Sequence, residues 1–173
     1  MLIELRKGMT LHPGTFHAVI APEKVMVSAL TASADLRRFL YVSGRYSRLL
    51  SCIKGSAGNA EVRRAFSARQ VFALLQEVSH TVVFLEHDPA VFDGAEEMIP
   101  QVEDILREIG RESLVILYAP SPDRSFSLLM RHADRIIEIT AANDLGGTTL
   151  YRCYHSLRYR EIAPCSQQVL EVS

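Results

Sequence analysis

Glu86, His87 and Asp88 stand in succession at the end of the apolar run Thr81-Val82-Val83-Phe84-Leu85, and Asp93 follows shortly after. Carboxylate and imidazole groups suit several divalent ions. A carboxylate at the carboxyl end of a doubly buried strand also lies where open α/β sheets keep their ligands. Neighbours on an extended turn point in different directions, however, and the spacing follows no ligand pattern. The expected state is a solvated loop, and no metal is assigned.

Other chemistry-bearing residues carry less. Ser43, Ser47 and Ser51 lack the GxSxG elbow that presents a serine nucleophile. His12 and His17 flank the Pro13-Gly14 turn as a coincidental pair, and Cys153 is expected to face a sheet. Arginines and tyrosines are interleaved more suggestively. Arg37, Arg38, Arg45 and Arg48 form one group, Arg63, Arg64 and Arg69 a second, and Arg152, Arg158 and Arg160 a third. Among them lie Tyr41, Tyr46, Tyr151, Tyr154 and Tyr159. Such mixtures occur on single-strand binders and on protein interfaces. Arg45, Tyr46, Arg48, Arg63, Arg64 and Tyr154 are therefore candidate interface or nucleic-acid residues. The acidic residues Glu96, Glu97, Glu103, Asp104 and Glu108 sit mostly on one helix, which predicts a polarised surface suited to self-association.

Composition sets the frame for these groups. A chain of 173 residues with a net charge of -1 is read as one domain with a real core, and not as a dedicated polyanion binder. Three cysteines without a CxxC predict a reduced, cytoplasmic setting. The start MLIELRKGMT has no apolar signal region, and the apolar runs are far too short to span a membrane.

The elements that must position the candidates alternate. Strands are predicted at 17–21, 39–43, 81–85 and 114–118, with helices at 23–34, 46–53, 67–78, 94–109 and 122–132. Pro100 is expected to kink the fourth helix or detach its first turn. Residues 135–139 and 149–154 read as an antiparallel hairpin around Asn143-Asp144-Leu145-Gly146-Gly147. The loop Gly55-Ser56-Ala57-Gly58-Asn59 is the most flexible point by composition, and residues 158–162 add a possible strand. Alternating strands and helices mean a mostly parallel α/β sheet.

Three stretches carry a resemblance: Pro13-Gly14-Thr15 before the first strand, Arg63-Arg64-Ala65-Phe66-Ser67-Ala68-Arg69-Gln70, and Val82–Glu86 with Phe92-Asp93. In order and spacing they resemble the RecA/KaiC-like ATPase core, in particular the archaeal RadA and RadB group, with Val82–Glu86 similar to a Walker B strand. The resemblance covers roughly residues 13–154. It implies a three-layer RecA-like sheet, mostly parallel, with helices on both faces and a C-terminal antiparallel hairpin. Residues 1–173 then form a single domain, with 156–173 a partly irregular tail.

Against that family's pattern, the segment matching the phosphate loop is Ile20-Ala21-Pro22-Glu23-Lys24-Val25-Met26, which contains no glycine. Pro22 lacks an N–H donor, Glu23 is anionic, and Val25 stands where the Mg²⁺-binding hydroxyl belongs. Gly44-Arg45-Tyr46 follows the second strand where KaiC-like proteins carry a glutamate, so ATP hydrolysis is not expected. The expected function is protein–protein association, regulatory or scaffolding, by self-assembly or by docking on a RecA/KaiC-type protein. One alternative is weak binding of ATP or ADP with Mg²⁺ through Lys24, Glu86 and Asp88. Another is an accessory DNA-binding role in recombination or repair.

Overall fold

The computed structural model describes residues 3–6, 8–33, 38–53, 60–140 and 150–155, and the side chains of these residues except 6, 53 and 150–155. The loop expected at 55–59, the turn at 143–147, the tail with its possible strand at 158–162, Arg37, and the side chains of Arg152, Cys153 and Tyr154 lie outside that description.

The apolar runs become parallel strands. β3 (Thr15–Ile20), β4 (Phe39–Ser43), β5 (Ala60–Arg64), β6 (Val82–Glu86), β7 (Leu114–Ala119) and β8 (Arg135–Thr140) share one sheet with β9 (Leu150–His155). The order across it is β5-β4-β6-β7-β3-β8-β9, with only β8–β9 antiparallel. The expected terminal hairpin is thus present. Successive side chains in a strand point to opposite faces, so each central strand feeds two cores. On one face Val83, Leu85, Val115 and Leu117 meet α3 (Ala68–Gln76), α5 (Ile99–Ile109) and α6 (Arg124–Leu129). On the other, Val19, Phe84 and Ile116 meet α1 (Glu23–Ala32), which buries Met26, Ala29 and Leu30 at helical spacing. Each fully buried ring such as Phe84 contributes roughly 2–3 kcal/mol by leaving water.

Local chemistry sets the helix starts. The Ser67 hydroxyl accepts the Gln70 N–H at 3.3 Å, while the Gln70 side chain accepts the Phe66 N–H at 2.7 Å. Asp123 caps α6 by accepting the Phe126 N–H at 2.7 Å. Before α5 the chain makes a short helix α4 (Pro89–Phe92) and a separate 3₁₀ turn (Glu96–Met98), and Pro100 occupies the first turn of α5, where its missing N–H costs nothing.

One expected element is corrected and two unassigned segments take on structure. The helix expected at 46–53 is confined to α2 (Leu50–Ile53), because the preceding backbone is held open by side chains of another strand end. The first residues, which carry no clear pattern, form a hairpin of β1 (Ile3–Arg6) and β2 (Met9–Leu11), with Gly8 at φ 84° in its turn. Ile3, Leu5 and Leu11 of that hairpin complete the α1-side core. Residues 60–64, to which the sequence pattern assigns no element, are the edge strand β5, so Arg63 and Arg64 of the resemblance-bearing stretch lie on a strand.

Candidate functional site

Parallel strands bring their carboxyl ends to one side of the sheet, where those of β3, β4, β6 and β7 meet. β3 and β7 are neighbours, and the helices that follow them, α1 and α6, pack on opposite faces. That reversal makes a crevice at a topological switch point, the usual ligand position of such sheets.

In this protein side chains fill the crevice. Tyr118, near the end of β7, donates its hydroxyl to the Ala21 carbonyl at 3.1 Å, across the turn from β3 into α1. That turn consists of Ala21 and Pro22 alone, and the Pro22 carbonyl takes the Val25 N–H at 2.9 Å. The Tyr118 ring stacks on Phe84 at 5.7 Å between centroids, and Phe84 stacks on Tyr41 at 5.0 Å. Glu86 ends β6 on the α1 side of this aromatic row. Its Oε2 accepts the Tyr41 hydroxyl at 2.6 Å, and its Oε1 accepts the Arg48 N–H at 3.3 Å. Over the top, the Arg48 guanidinium pairs with Glu23 at 3.1 Å. Burial, reinforced by the Glu86 charge and hydrogen bond, raises the Tyr41 hydroxyl above its usual range. Burial also raises Tyr118, with the carboxylates of Glu23 and Glu86 adding to it. Both phenols therefore stay protonated and act as donors.

Neighbouring residues of the Glu86-His87-Asp88 run serve different elements. His87 turns to the other face, stacks on Phe92 at 5.7 Å and meets the edge of Phe126 at 5.4 Å. Its Nε2 lies 2.9 Å from Asp123 Oδ2 and 3.2 Å from Ser125 Oγ. A serine–histidine–aspartate relay needs the acid and the hydroxyl on opposite ring nitrogens; here both converge on Nε2, while Nδ1 is buried without a hydrogen-bond partner among the described residues. Burial lowers the His87 pKa, against the pull of Asp123, so the ring is a neutral strut between α4 and α6. Asp88 spans two elements: Oδ1 accepts the Ala90 N–H at 3.1 Å to cap α4, and Oδ2 accepts the Arg45 N–H at 3.0 Å. Among the described residues no group of three His, Cys, Asp or Glu side chains is placed to hold a metal ion.

The predicted site residues thus divide. Glu86 and Asp88 both hold the segment after β4, and Lys24 lines a separate cleft of about 620 Å³ with Val27, Ser28, Thr31 and Cys52 between α1 and α2. Arg45, Tyr46 and Arg64 are exposed around the carboxyl ends of β4 and β5. Arg48 is also exposed but paired with Glu23, and Arg63 is half-buried between Glu61 and Glu77. Tyr41, interleaved with the arginines in sequence, belongs to the core and not to their surface. Of the acidic helix, Glu103 is buried, where its carboxylate accepts the His132 N–H at 3.0 Å. The roles of Tyr41 and Tyr118 were accessible in principle: a tyrosine inside an otherwise apolar strand must find a hydroxyl partner when buried. Which partner each finds depends on strand order.

No protein-family model matches the chain. A protein of Archaeoglobus fulgidus described as uncharacterized is 34% identical over 131 residues, which are 74% of this chain and 66% of that protein. The chain therefore spans just under two thirds of that relative's length. Among solved structures, a KaiC-like protein from the hyperthermophilic archaeon Pyrococcus horikoshii OT3 matches with a TM-score of 0.60, over 93% of this chain and 85% of that one. This chain has a KaiC-like fold. At 10% identity the likeness is one of fold alone, and the residues of the KaiC-like switch point have to be read by their own chemistry. No helix among the described residues is long and apolar enough to cross a membrane.

Proposed function

We propose that this protein is a KaiC-like domain that works by protein–protein association, in a regulatory or scaffolding role, without hydrolysing nucleotide. The observation that carries the reading is the Tyr118 hydroxyl on the Ala21 carbonyl, inside the crevice where a phosphate chain would lie. A phosphate cradle needs consecutive backbone N–H groups turned toward the anion. The Ala21-Pro22 turn supplies no such row: the Ala21 N–H is spent on the Ala119 carbonyl, and Pro22 has none. Both Glu86 oxygens are used within the fold, and the Glu23 carboxylate lies beside Tyr118 and would repel a phosphate. The residues present do not fit a magnesium–nucleotide.

The test is thermal unfolding with ATP or ADP at millimolar concentration, with and without Mg²⁺. A ligand that binds only the folded chain must raise the melting temperature. The expected result is no shift. A magnesium-dependent rise lost in Lys24→Ala would replace this reading with one of weak nucleotide binding through Lys24, Glu86 and Asp88.

A further inference from the structure

β5 ends the sheet on one side, and among the described residues it pairs only with β4. An edge strand offers a row of unpaired backbone groups to any chain that can lie alongside. Natural edges are blunted by proline, by bulges or by charges that repel a second strand. This one, Ala60-Glu61-Val62-Arg63-Arg64, has no proline, and its charges are arranged differently.

In an antiparallel pairing of β5 with a second β5 about a two-fold axis at Val62, Glu61 of each copy stands directly opposite Arg63 of the other. Opposite charges in that position stabilise a pair of strands, and like charges destabilise it. Sliding the register by two residues, the smallest shift that keeps each side chain on its face, sets Glu61 against Glu61 or Arg63 against Arg63. One register is therefore selected. The two side chains are also held in advance. Arg63 bonds Glu61 within its own strand and reaches Glu77 at 3.3 Å, while His80 holds the other Glu61 oxygen at 2.9 Å.

A second observation points to the same edge. The large apolar side chains left exposed among the described residues are Val62 at 45%, Phe66 at 54% and Tyr46 at 81%. Val62 is the centre of β5, Phe66 follows it, and Tyr46 follows its neighbour β4. Exposed apolar side chains on the edge strand and just beyond it add apolar surface on that side of the sheet.

We propose that two copies of this chain associate edge to edge through β5, antiparallel about Val62, joining their sheets with Glu61 of each copy facing Arg63 of the other. This deepens the association reading above and names its partner as a second copy.

The test is sedimentation of the full chain over a concentration series up to millimolar, for wild type, Glu61→Arg, Arg63→Glu and an equimolar mixture of the two variants. Wild type is expected to pass from monomer to dimer with rising concentration. Each reversal alone places like charges across the axis twice and weakens the dimer roughly tenfold or more. In the mixture every cross-strand pair is again of opposite sign, so a mixed dimer returns. If a reversal lowers the melting temperature enough to unfold the chain, Val62→Lys, which sets two lysines face to face on the axis, is expected to give the same loss. A wild type that stays monomeric throughout, or a mixture that does not recover, overturns the pairing. A dimer unaffected by the reversals also overturns it, while leaving self-association through another surface intact. Nucleotide binding in the thermal test would instead defeat the preceding reading without touching this one.

Discussion

Glu86 takes one hydrogen bond from a side chain two strands' worth of sequence away and another from a backbone N–H, and only 8% of the residue is exposed. A buried carboxylate that loses one donor keeps its desolvation cost. Tyr41→Phe is therefore expected to lower stability by about 1–3 kcal/mol in urea unfolding, and Tyr118→Phe, which frees only the Ala21 carbonyl, by about 1 kcal/mol. Values indistinguishable from wild type for both would mean that these phenols do not hold the crevice. At this scale the chain was partly readable. Glu86 and Asp88 stand out as carboxylates at a strand end, but their partners Tyr41, Arg48 and Arg45 are distant in sequence, and no spacing rule connects them. His87 likewise found Asp123 and Ser125 only because β6 and β7 are adjacent.

The element most altered between expectation and structure is the segment after β4. Leu49, Leu50 and Ile53 have helical spacing, yet residues 44–49 do not form a helix. Asp88 and Glu86 capture the N–H groups of Arg45 and Arg48, and the Ser47 hydroxyl accepts the Leu50 N–H at 3.0 Å to start α2 late. Local propensity is worth tenths of a kcal/mol per residue and yields to such charge-assisted bonds. Gly44 is the pivot, for a Cβ at that position would overlap the Asp88 side chain. Gly44→Ala is expected to cost about 1–3 kcal/mol by overpacking. Asp88→Gly removes the obstacle, so a double-mutant cycle should show the Gly44→Ala penalty shrinking in that background; an unchanged penalty would place its cause elsewhere. The apolar strands β4, β6 and β7 were legible because burial on both faces demands apolar residues throughout. β5 was missed because one side of it is solvent, and its alternating charges carry no strand signature.

Across the whole molecule, two buried histidines link stability to acidity. Burial, aided by the Arg135 charge, lowers His17 to about 4, and burial lowers His87 as well. A histidine lowered in the fold binds its proton more readily when unfolded, so the unfolded state gains as pH falls. Stability is then full above the unfolded value near 6.5 and declines below it, His17 contributing up to about 3 kcal/mol of loss by pH 4. Asp123, whose burial is outweighed by bonds from Phe126, His87 and Ser125, is lowered too, and its contribution is lost only as pH falls below 3.8. Urea midpoints between about pH 7 and pH 4.5 should therefore drop, with a flatter profile in His17→Gln; a pH-independent midpoint would contradict the buried, neutral state. The layered α/β architecture follows from the order of residues, since apolar runs alternating with amphipathic helices have few ways to bury their faces. The absence of glycine from the β3–α1 turn is likewise plain in the residues Ala21 and Pro22. What occupies the crevice depends on long-range pairing, because Tyr118 meets Ala21 only where β7 lies beside β3. The edge position of β5 has the same origin, since strand order follows from long-range packing that short-range sequence patterns do not encode.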